Sequence, residues 1–316
     1  MKKNEKKNVG PSIFQRLLNR AREKREDFNL LLSRFGMERF LYRLSISPFV
    51  DRFVLKGASL FLIWKGQNFC VTRDADLLGF GNPNLEVIAE TFCKICDIDF
   101  SQHDGMLYLQ KSLKVEAIRE DQEYDGVRVT LVGLLNQARI PLQIDIGFGN
   151  SITPPPEIVE YPTLFDHPIP KIKAYSVYTV VAEKLEAMIK LGISNNRMKD
   201  FFDIWLLSKL FKFEGKILGD AIKNTFNRRH TLLPETVPFA FTASFFDDQQ
   251  KQTQWKAFVK KSKPDLPVGD LVTVILEISE FIIPVIKSLK TEMILEKDWS
   301  PGKGWKNMIT QDVSAS

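Results

Sequence analysis

Apolar residues recur at helical spacing over the first fifty residues of the chain. One helical run holds the apolar residues Phe28, Leu31 and Leu32 and a second holds Phe40, Leu41 and Leu44, with Gly36 between them. Apolar residues three and four positions apart lie on one face of a helix. We therefore expect an N-terminal helical segment over residues 1–50, with a break near Gly36.

The spacing changes after residue 53 to a pattern typical of alternating strands and helices. The apolar run FVL is followed by KGASLFLIW, which predicts a turn entering a helix, and by RDADLLGF, which predicts a strand. Residues 85–96 predict a further helix. In GVRVTLV and RIPLQIDIGF every second residue is apolar, so Gln143 and Asp145 lie on the opposite, polar face. These elements predict an α/β (α+β) fold with a mixed-sheet core over residues 51–150.

A proline-rich segment follows the predicted sheet and marks a domain boundary. Residues 151–172 contain six prolines, which oppose regular helix and favour an extended crossing segment. Helical spacing then resumes in TVVAEKLEAMIKLG and RMKDFFDIWLLSKLF and predicts a C-terminal helical domain over residues 173–298. Residues 299–316 contain a proline and two glycines and end in Ser and Ala, which predicts a loose tail.

Composition narrows the class of protein without specifying an activity. Of the 316 residues, 44% are hydrophobic and 26% are charged, as in ordinary globular proteins. Even the apolar stretch at residues 271–286 is interrupted by two glutamates and a proline, so we expect no membrane span. The lysine-rich first seven residues lack a following apolar segment, so we expect no secretion signal and a cytoplasmic protein. Three cysteines do not suggest a disulfide framework.

Two aspartates predict a site for divalent metal ions. Asp74 and Asp76 are two residues apart on a predicted strand, so their side chains leave the same face about 6–7 Å apart at Cα. Magnesium is a hard cation that prefers such oxygen ligands. Asp145 is a candidate third ligand, and three carboxylates could hold the two ions that in-line displacement at phosphorus uses. The alternative is that the Asp pair serves as a solvated turn at a strand end.

The segment before the aspartates predicts a phosphate-binding turn. Lys56, Gly57, Ala58 and Ser59 lie between the apolar strand and an apolar helix. Backbone N–H groups at such a turn, together with the Ser59 hydroxyl, can hold phosphate oxygens. The alternative is an ordinary strand-to-helix turn in which Ser59 is the helix N-cap.

The serine-containing turn, the DxD motif and the later lone aspartate resemble the polymerase-β-like nucleotidyltransferase superfamily. More narrowly, the strings KGASLFL, RDADLLGFG, REDQEYDGVRV, PLQIDIGFG, VVAEKLEAMIKLG and RMKDFFDIWLL resemble the AbiEii/AbiGii-type toxin nucleotidyltransferases of bacterial abortive-infection systems. The resemblance extends over about residues 13–258. The resemblance is specific because the six strings occur together in this order, whereas any one of them alone is weak evidence for the family.

This resemblance implies a toxin of a two-gene toxin–antitoxin system that acts in phage defence, with a cognate antitoxin encoded nearby. Some relatives add a nucleotide from a nucleoside triphosphate to the acceptor end of tRNA, whereas others were described only as nucleotide-binding. By position, Ser59 would hold the triphosphate and Asp74 and Asp76 would ligate Mg²⁺. Asp145 fits the third carboxylate, a position at which small toxins of this type vary. Ala58 departs from the glycine that usually precedes the serine.

The resemblance also assigns roles in the second half of the chain. Lys184 matches the lysine motif of the family and Asp200 its later acidic motif. From the residues alone, Lys184 is a surface charge at the edge of an apolar stripe, whereas the resemblance favours a triphosphate contact. Asp200 could position Lys184 or the attacking hydroxyl, with Arg197 and Lys199 touching phosphate. The alternative for Asp200 and the nearby Asp203 is helix capping and dipole compensation.

The sequence leaves three functions open. The first is nucleotide transfer to RNA, in particular tRNA, for which basic residues among aromatics at residues 209–229 and 255–263 could form a track. Such charge runs are also typical of solvated faces. The second function keeps the same site but modifies a protein hydroxyl or a small molecule. The third is a nucleotide-binding interaction module without catalysis.

Overall fold

The computed structural model describes residues 9–66, 74–120, 124–264 and 266–307. The chain divides into two compact units. Unit 1 comprises Met1–Gly149 and Glu157–Ala174, and unit 2 comprises Asn150–Pro156 and Tyr175–Ser316. Among the described helices, none combines the length and the apolar character needed to cross a bilayer.

Unit 1 has an α/β fold, in which helices pack against a mixed sheet. Its helices are α1 (Val9–Lys24), α2 (Phe28–Ser45), α3 (Ser59–Lys65), α4 (Leu85–Cys96) and α5 (Ser101–Asp104). Its strands are β1 (Phe53–Lys56), β2 (Ala75–Gly79), β3 (Met106–Glu120), β4 (Tyr124–Leu135), β5 (Ala138–Phe148), β6 (Glu157–Glu160) and β7 (Lys171–Ala174). The strand order over the described residues is β3-β4-β5-β2-β1-β7-β6. Because β2 pairs with β5 and β1 with β7 in parallel while the other neighbours are antiparallel, the predicted mixed-sheet fold class is confirmed.

The alternating strands bury one face of the sheet, as their pattern predicts. Ile140, Leu142, Ile144 and Ile146 of β5 are all buried, whereas the residues between them face the other side. On the buried side, α2 packs against β5 and α4 packs against β3. The predicted helix at residues 85–96 is confirmed as α4 with the same bounds.

Gly36 does not separate two helices, contrary to the expectation from the sequence. Helix α2 runs unbroken through it. A Cβ at this position would lie 3.1 Å from Ile140 Cγ2, so the missing side chain allows α2 to approach β5. The Tyr108 hydroxyl donates a hydrogen bond of 2.7 Å to the Gly36 carbonyl. The glycine is therefore required for packing rather than for a turn.

The proline-rich segment contributes two strands to unit 1. Strand β7 pairs in parallel with β1, with Leu55 opposite Ala174, and β6 pairs antiparallel with β7. Three of the prolines precede β6 and three lie between β6 and β7, so none interrupts a strand. The extended segment predicted from the prolines thus includes one edge of the sheet.

Unit 2 is mainly helical. Its helices are α6 (Val177–Leu191), α7 (Met198–Leu210), α8 (Gly215–Arg228), α9 (Ala243–Phe246), α10 (Gln249–Ser262) and α11 (Leu271–Lys290). The strands β8 (Phe213–Glu214), β9 (Lys297–Ser300) and β10 (Gly304–Asn307) form an antiparallel sheet in the order β10-β9-β8.

The loose tail predicted for residues 299–316 is wrong for its first part. β9 and β10 form a hairpin there, and residues 308–316 lie outside the described residues. Trp299 is buried and its indole N–H donates to the Ser208 carbonyl at 2.7 Å. Trp305 stacks on Phe281, with ring centroids 5.9 Å apart. Burial of the Trp299 ring and stacking of the half-buried Trp305 ring stabilise a segment whose glycines and proline suggested disorder.

Candidate active site

The turn between β1 and α3 lies directly against the carboxylate of Asp76. Gly57 has a φ of +74°, and a Cβ added there would lie 2.0 Å from Asp76 Oδ2. Only glycine combines this backbone conformation with such a close approach. Ala58, in contrast, has φ −67° and ψ −26°, a conformation open to any residue. The alanine that replaces the usual glycine before Ser59 therefore causes no backbone strain.

A row of charged residues crosses the polar face of the sheet. The strand registers place Lys56 opposite Asp76, Asp76 opposite Asp145, Asp145 opposite Arg128, and Arg128 opposite Glu116. Directly paired residues project from the same face, about 5 Å apart between neighbouring strands. We call these five residues the charged row. It brings Asp76 and Asp145 side by side, although 68 residues separate them in the sequence.

Asp74 lies next to the charged row, one residue before β2 begins. The side-chain amide of Gln143 donates to Asp74 Oδ2 and to Asp145 Oδ2, both at 3.3 Å. Gln143 therefore links Asp74 to Asp145, and the strand register places Asp145 beside Asp76. The three predicted metal ligands thus lie together. Gln143 was placed on this face by the strand alternation but was not predicted as a site residue.

Asp145 is held by Arg128, a residue that the sequence analysis missed. The guanidinium donates from Nε to Oδ1 at 2.8 Å and from Nη2 to Oδ2 at 2.7 Å. These hydrogen bonds and the charge of Asp145 raise the pKa of Arg128 above its ordinary value. The alternation in GVRVTLV places Arg128 on the polar face, and this pattern could have predicted it as a site residue. Both carboxylate oxygens of Asp145 thus have a cationic partner.

The donor set fits a divalent metal ion in part. Asp74 and Asp76 offer hard oxygen ligands on one face of the sheet. They lie beside the turn at Gly57, where a side chain would overlap the Asp76 carboxylate. Asp145 is adjacent to them, but each of its carboxylate oxygens already accepts a hydrogen bond from Arg128. Among the residues that the structure describes, no group of three or more His, Cys, Asp or Glu side chains is arranged to hold a metal.

Ser59 begins α3 and its side chain lies close to Tyr161. Ser59 is buried, and burial raises the pKa of Tyr161 to about 12, an effect that a hydrogen bond from Ser59 partly offsets. The hydroxyl that was predicted to hold phosphate therefore has a partner within unit 1. Its phosphate contact stays a prediction.

In unit 2, the structure brings the predicted residues Lys184 and Asp200 into contact. Lys184 Nζ lies 2.5 Å from Asp200 Oδ1 and 2.9 Å from Asp203 Oδ2, and the lysine side chain is only 19% exposed. Burial alone would lower the pKa of Lys184, but the charges of Asp203 and Asp200 outweigh it and raise that pKa. Lys184 is therefore a constrained cation rather than a solvated surface charge.

Asp203 connects Lys184 to the predicted phosphate ligand Lys199. Lys199 Nζ lies 2.5 Å from Asp203 Oδ2. Burial would raise the pKa of Asp203, but Lys184 and Lys199 lower it. Lys184 and Lys199 thus offset the repulsion between the carboxylates of Asp200 and Asp203. The N-terminus of α7, where Asp200 lies, adds to this effect. Arg197 lies exposed just before α7, and its phosphate contact stays a prediction.

Two cations of the predicted RNA track form internal ion pairs in unit 2. Lys209 lies 3.0 Å from Glu277, and Arg229 lies 2.7 Å from Glu186. The Arg229–Glu186 pair is largely buried. These two residues therefore contribute less to an RNA-binding surface than their sequence cluster suggests.

Comparisons with known proteins show the family of this chain. A family model described as the nucleotidyl transferase AbiEii toxin of type IV toxin–antitoxin systems matches residues 39–277, well over half of the chain. The solved structure of JHP933 from Helicobacter pylori covers 83% of this chain and 94% of its own, at 16% identity and a TM-score of 0.47. A structure described as a suspected nucleotidyltransferase from H. pylori covers 83% and 96%, at 16% identity and a TM-score of 0.44. A comparison with curated proteins finds no match.

Proposed function

Because the chain belongs to the AbiEii family of nucleotidyl transferase toxins of type IV toxin–antitoxin systems, we propose that it transfers a nucleotide from a nucleoside triphosphate to RNA, in particular tRNA. The observation that carries this proposal is the arrangement of Asp74, Asp76 and Asp145 on one sheet face beside the Gly57 turn. Carboxylates around a phosphate-binding turn are what phosphoryl transfer needs, since its catalysis is mostly positioning and charge neutralisation.

Asp74 and Asp76 would hold the magnesium ions, with Asp145 as the third ligand once Arg128 has moved. When bound, two Mg²⁺ ions would activate the attacking oxygen and neutralise the leaving phosphates. The proposal is supported by the donor chemistry, because every candidate ligand is a carboxylate oxygen. Gly57 would let the triphosphate approach the backbone of the turn, with Lys56 and Ser59 beside it.

The reaction forms one bond and breaks one. A ribose hydroxyl oxygen of the acceptor bonds to the α-phosphorus, and the bond from that phosphorus to its bridging oxygen breaks. Pyrophosphate leaves with the electron pair, and the hydroxyl proton is lost to solvent. Lys184, kept protonated by its two carboxylates, would supply a positive charge to the triphosphate. Asp200 would orient that lysine, and Arg197 and Lys199 would contact phosphate oxygens.

Labelling of RNA tests this proposal. Purified protein with Mg²⁺, total RNA and each radiolabelled nucleoside triphosphate should label tRNA, and Asp74→Asn or Asp76→Asn should abolish the label. Asp166→Asn, which neutralises an exposed carboxylate elsewhere in unit 1, is the matched control and should label RNA like wild type.

The outcome separates the competing functions. Label that survives both substitutions at the aspartate pair contradicts the metal site. Label on protein or on a small molecule, with unlabelled RNA, moves the acceptor to those classes. Metal-dependent nucleotide binding in calorimetry without pyrophosphate release would instead indicate a binding module.

A further inference from the structure

The ion pair between Arg128 and Asp145 occupies the position that a third metal ligand needs. We infer that Asp145 exchanges the Arg128 guanidinium for the divalent cation when nucleotide binds, and that the released guanidinium then contacts the triphosphate. Cation and nucleotide would therefore bind cooperatively. This inference rests on the proposed function and specifies how its site is regulated.

The charged row explains why Asp145 needs a partner before a cation binds. Asp76 and Asp145 are direct register partners, so two carboxylates lie side by side on one face. Adjacent carboxylates repel each other unless a positive charge lies close to them. Arg128 supplies that charge from the neighbouring strand through two hydrogen bonds. A divalent cation between the carboxylates would supply it instead.

The exposure of the two partners allows this exchange. The Asp145 side chain is 15% exposed, whereas the Arg128 side chain is 38% exposed. Arg128 lies toward the exposed end of the charged row, next to Glu116. The guanidinium of an arginine at the exposed end can move away from Asp145 without disturbing the packing of the buried core. Its planar fork of donors fits a phosphate as well as a carboxylate.

The exchange predicts a coupling between the two ligands. A cation that arrives alone must break the two hydrogen bonds between the Arg128 guanidinium and Asp145 and brings no new contact in exchange. A cation that arrives with a nucleoside triphosphate brings a new partner for the guanidinium. Each ligand should then raise the affinity for the other by the same factor.

Metal binding can be measured without catalysis. The full-length protein is titrated with Mn²⁺, and free Mn²⁺ is followed by electron paramagnetic resonance, with and without a non-hydrolysable nucleoside triphosphate analogue. In wild type, the analogue should tighten Mn²⁺ binding about tenfold, within the usual range of coupling. Arg128→Gln should bind Mn²⁺ alone about tenfold tighter than wild type and should lose most of the tightening by the analogue.

Two further variants isolate the ion pair. Lys114→Gln removes the same charge from an exposed position on β3, opposite Thr130 rather than Asp145, and should titrate like wild type. Arg128→Lys keeps the charge but cannot form two parallel hydrogen bonds, so its Mn²⁺ affinity should lie between those of wild type and Arg128→Gln.

The inference and the proposed function fail differently. If wild type and Asp76→Asn bind Mn²⁺ equally or not at all, the proposed metal site is wrong and the inference falls with it. If Asp76→Asn loses binding while Arg128→Gln binds no more tightly than wild type, the metal site stands and the inference is overturned. A tightening in Arg128→Gln that equals the one in Lys114→Gln also overturns it, because general charge removal would then explain the effect.

Discussion

Gly57 determines how closely the turn after β1 approaches the carboxylate of Asp76. Its positive φ would cost a residue with a side chain about 1–3 kcal/mol. Its position adds a second restriction, because a Cβ would overlap Asp76 Oδ2. Gly57 therefore allows both the backbone geometry of the turn and the position of the Asp76 carboxylate.

Gly57→Ala should displace the Asp76 carboxylate and lower the rate of RNA labelling about a hundredfold, since small misplacements at a reacting centre have effects of that order. Gly66→Ala is the matched control, because Gly66 also has a positive φ of +64° but a Cβ there meets no described atom within 4 Å. The alanine at Gly66 should destabilise the protein yet leave labelling near the wild-type rate. Equal rates in the two variants would contradict the role assigned to the close approach.

Lys184 illustrates how burial and ion pairing act together at one residue. A lysine at the border of an apolar stripe can usually reach solvent. Here two carboxylates of α7 hold its ammonium group and keep its pKa raised despite burial. The lysine therefore stays charged throughout the physiological pH range.

At the scale of elements, a buried ion pair connects α2 to the end of α5. Arg43 Nη1 lies 2.7 Å from Asp104 Oδ2, and both side chains are almost fully buried. Arg43 also donates to the carbonyls of Ile98 and Met106, so its guanidinium fixes the chain where it enters β3. This contact positions the long hairpin of β3 and β4, which carries Arg128.

Asp104→Asn should lower the free energy of unfolding by about 3–5 kcal/mol, because it leaves a buried guanidinium without its counter-ion. Urea denaturation monitored by circular dichroism measures the loss. Glu160→Gln is the control, since it removes one partner of the exposed Lys171–Glu160 pair and should change stability little. Similar losses in both variants would show that burial does not decide the strength of these pairs.

At the scale of the whole molecule, family membership and the site together predict growth arrest in cells. Under the proposed function, induced expression of the wild-type chain in a bacterial host should stop growth, because tRNA modified at its acceptor end would no longer be aminoacylated. Asp76→Asn should permit growth at the same protein level, as judged by immunoblot. Co-expression of the antitoxin gene expected beside this one should restore growth to the wild type. Arrest by the Asp76→Asn variant would show that toxicity does not require the proposed chemistry.

The sequence by itself determined the local elements and the polar faces. Alternation in RIPLQIDIGF predicted that Asp145 lies opposite the apolar residues, and β5 has that pattern of burial. Helical spacing predicted α4 with its correct bounds. These features depend on residues a few positions apart, so periodicity is enough to predict them.

Only the tertiary structure decided which residues meet. The parallel pairing of β2 with β5 and the register of β4 place Asp76, Asp145 and Arg128 in one row. Gly36 was wrongly predicted as a break and the first part of the tail as loose, because their roles depend on contacts with Ile140 and Phe281. A sequence pattern specifies the face on which a side chain lies, whereas its partner depends on strand register and on packing between distant segments.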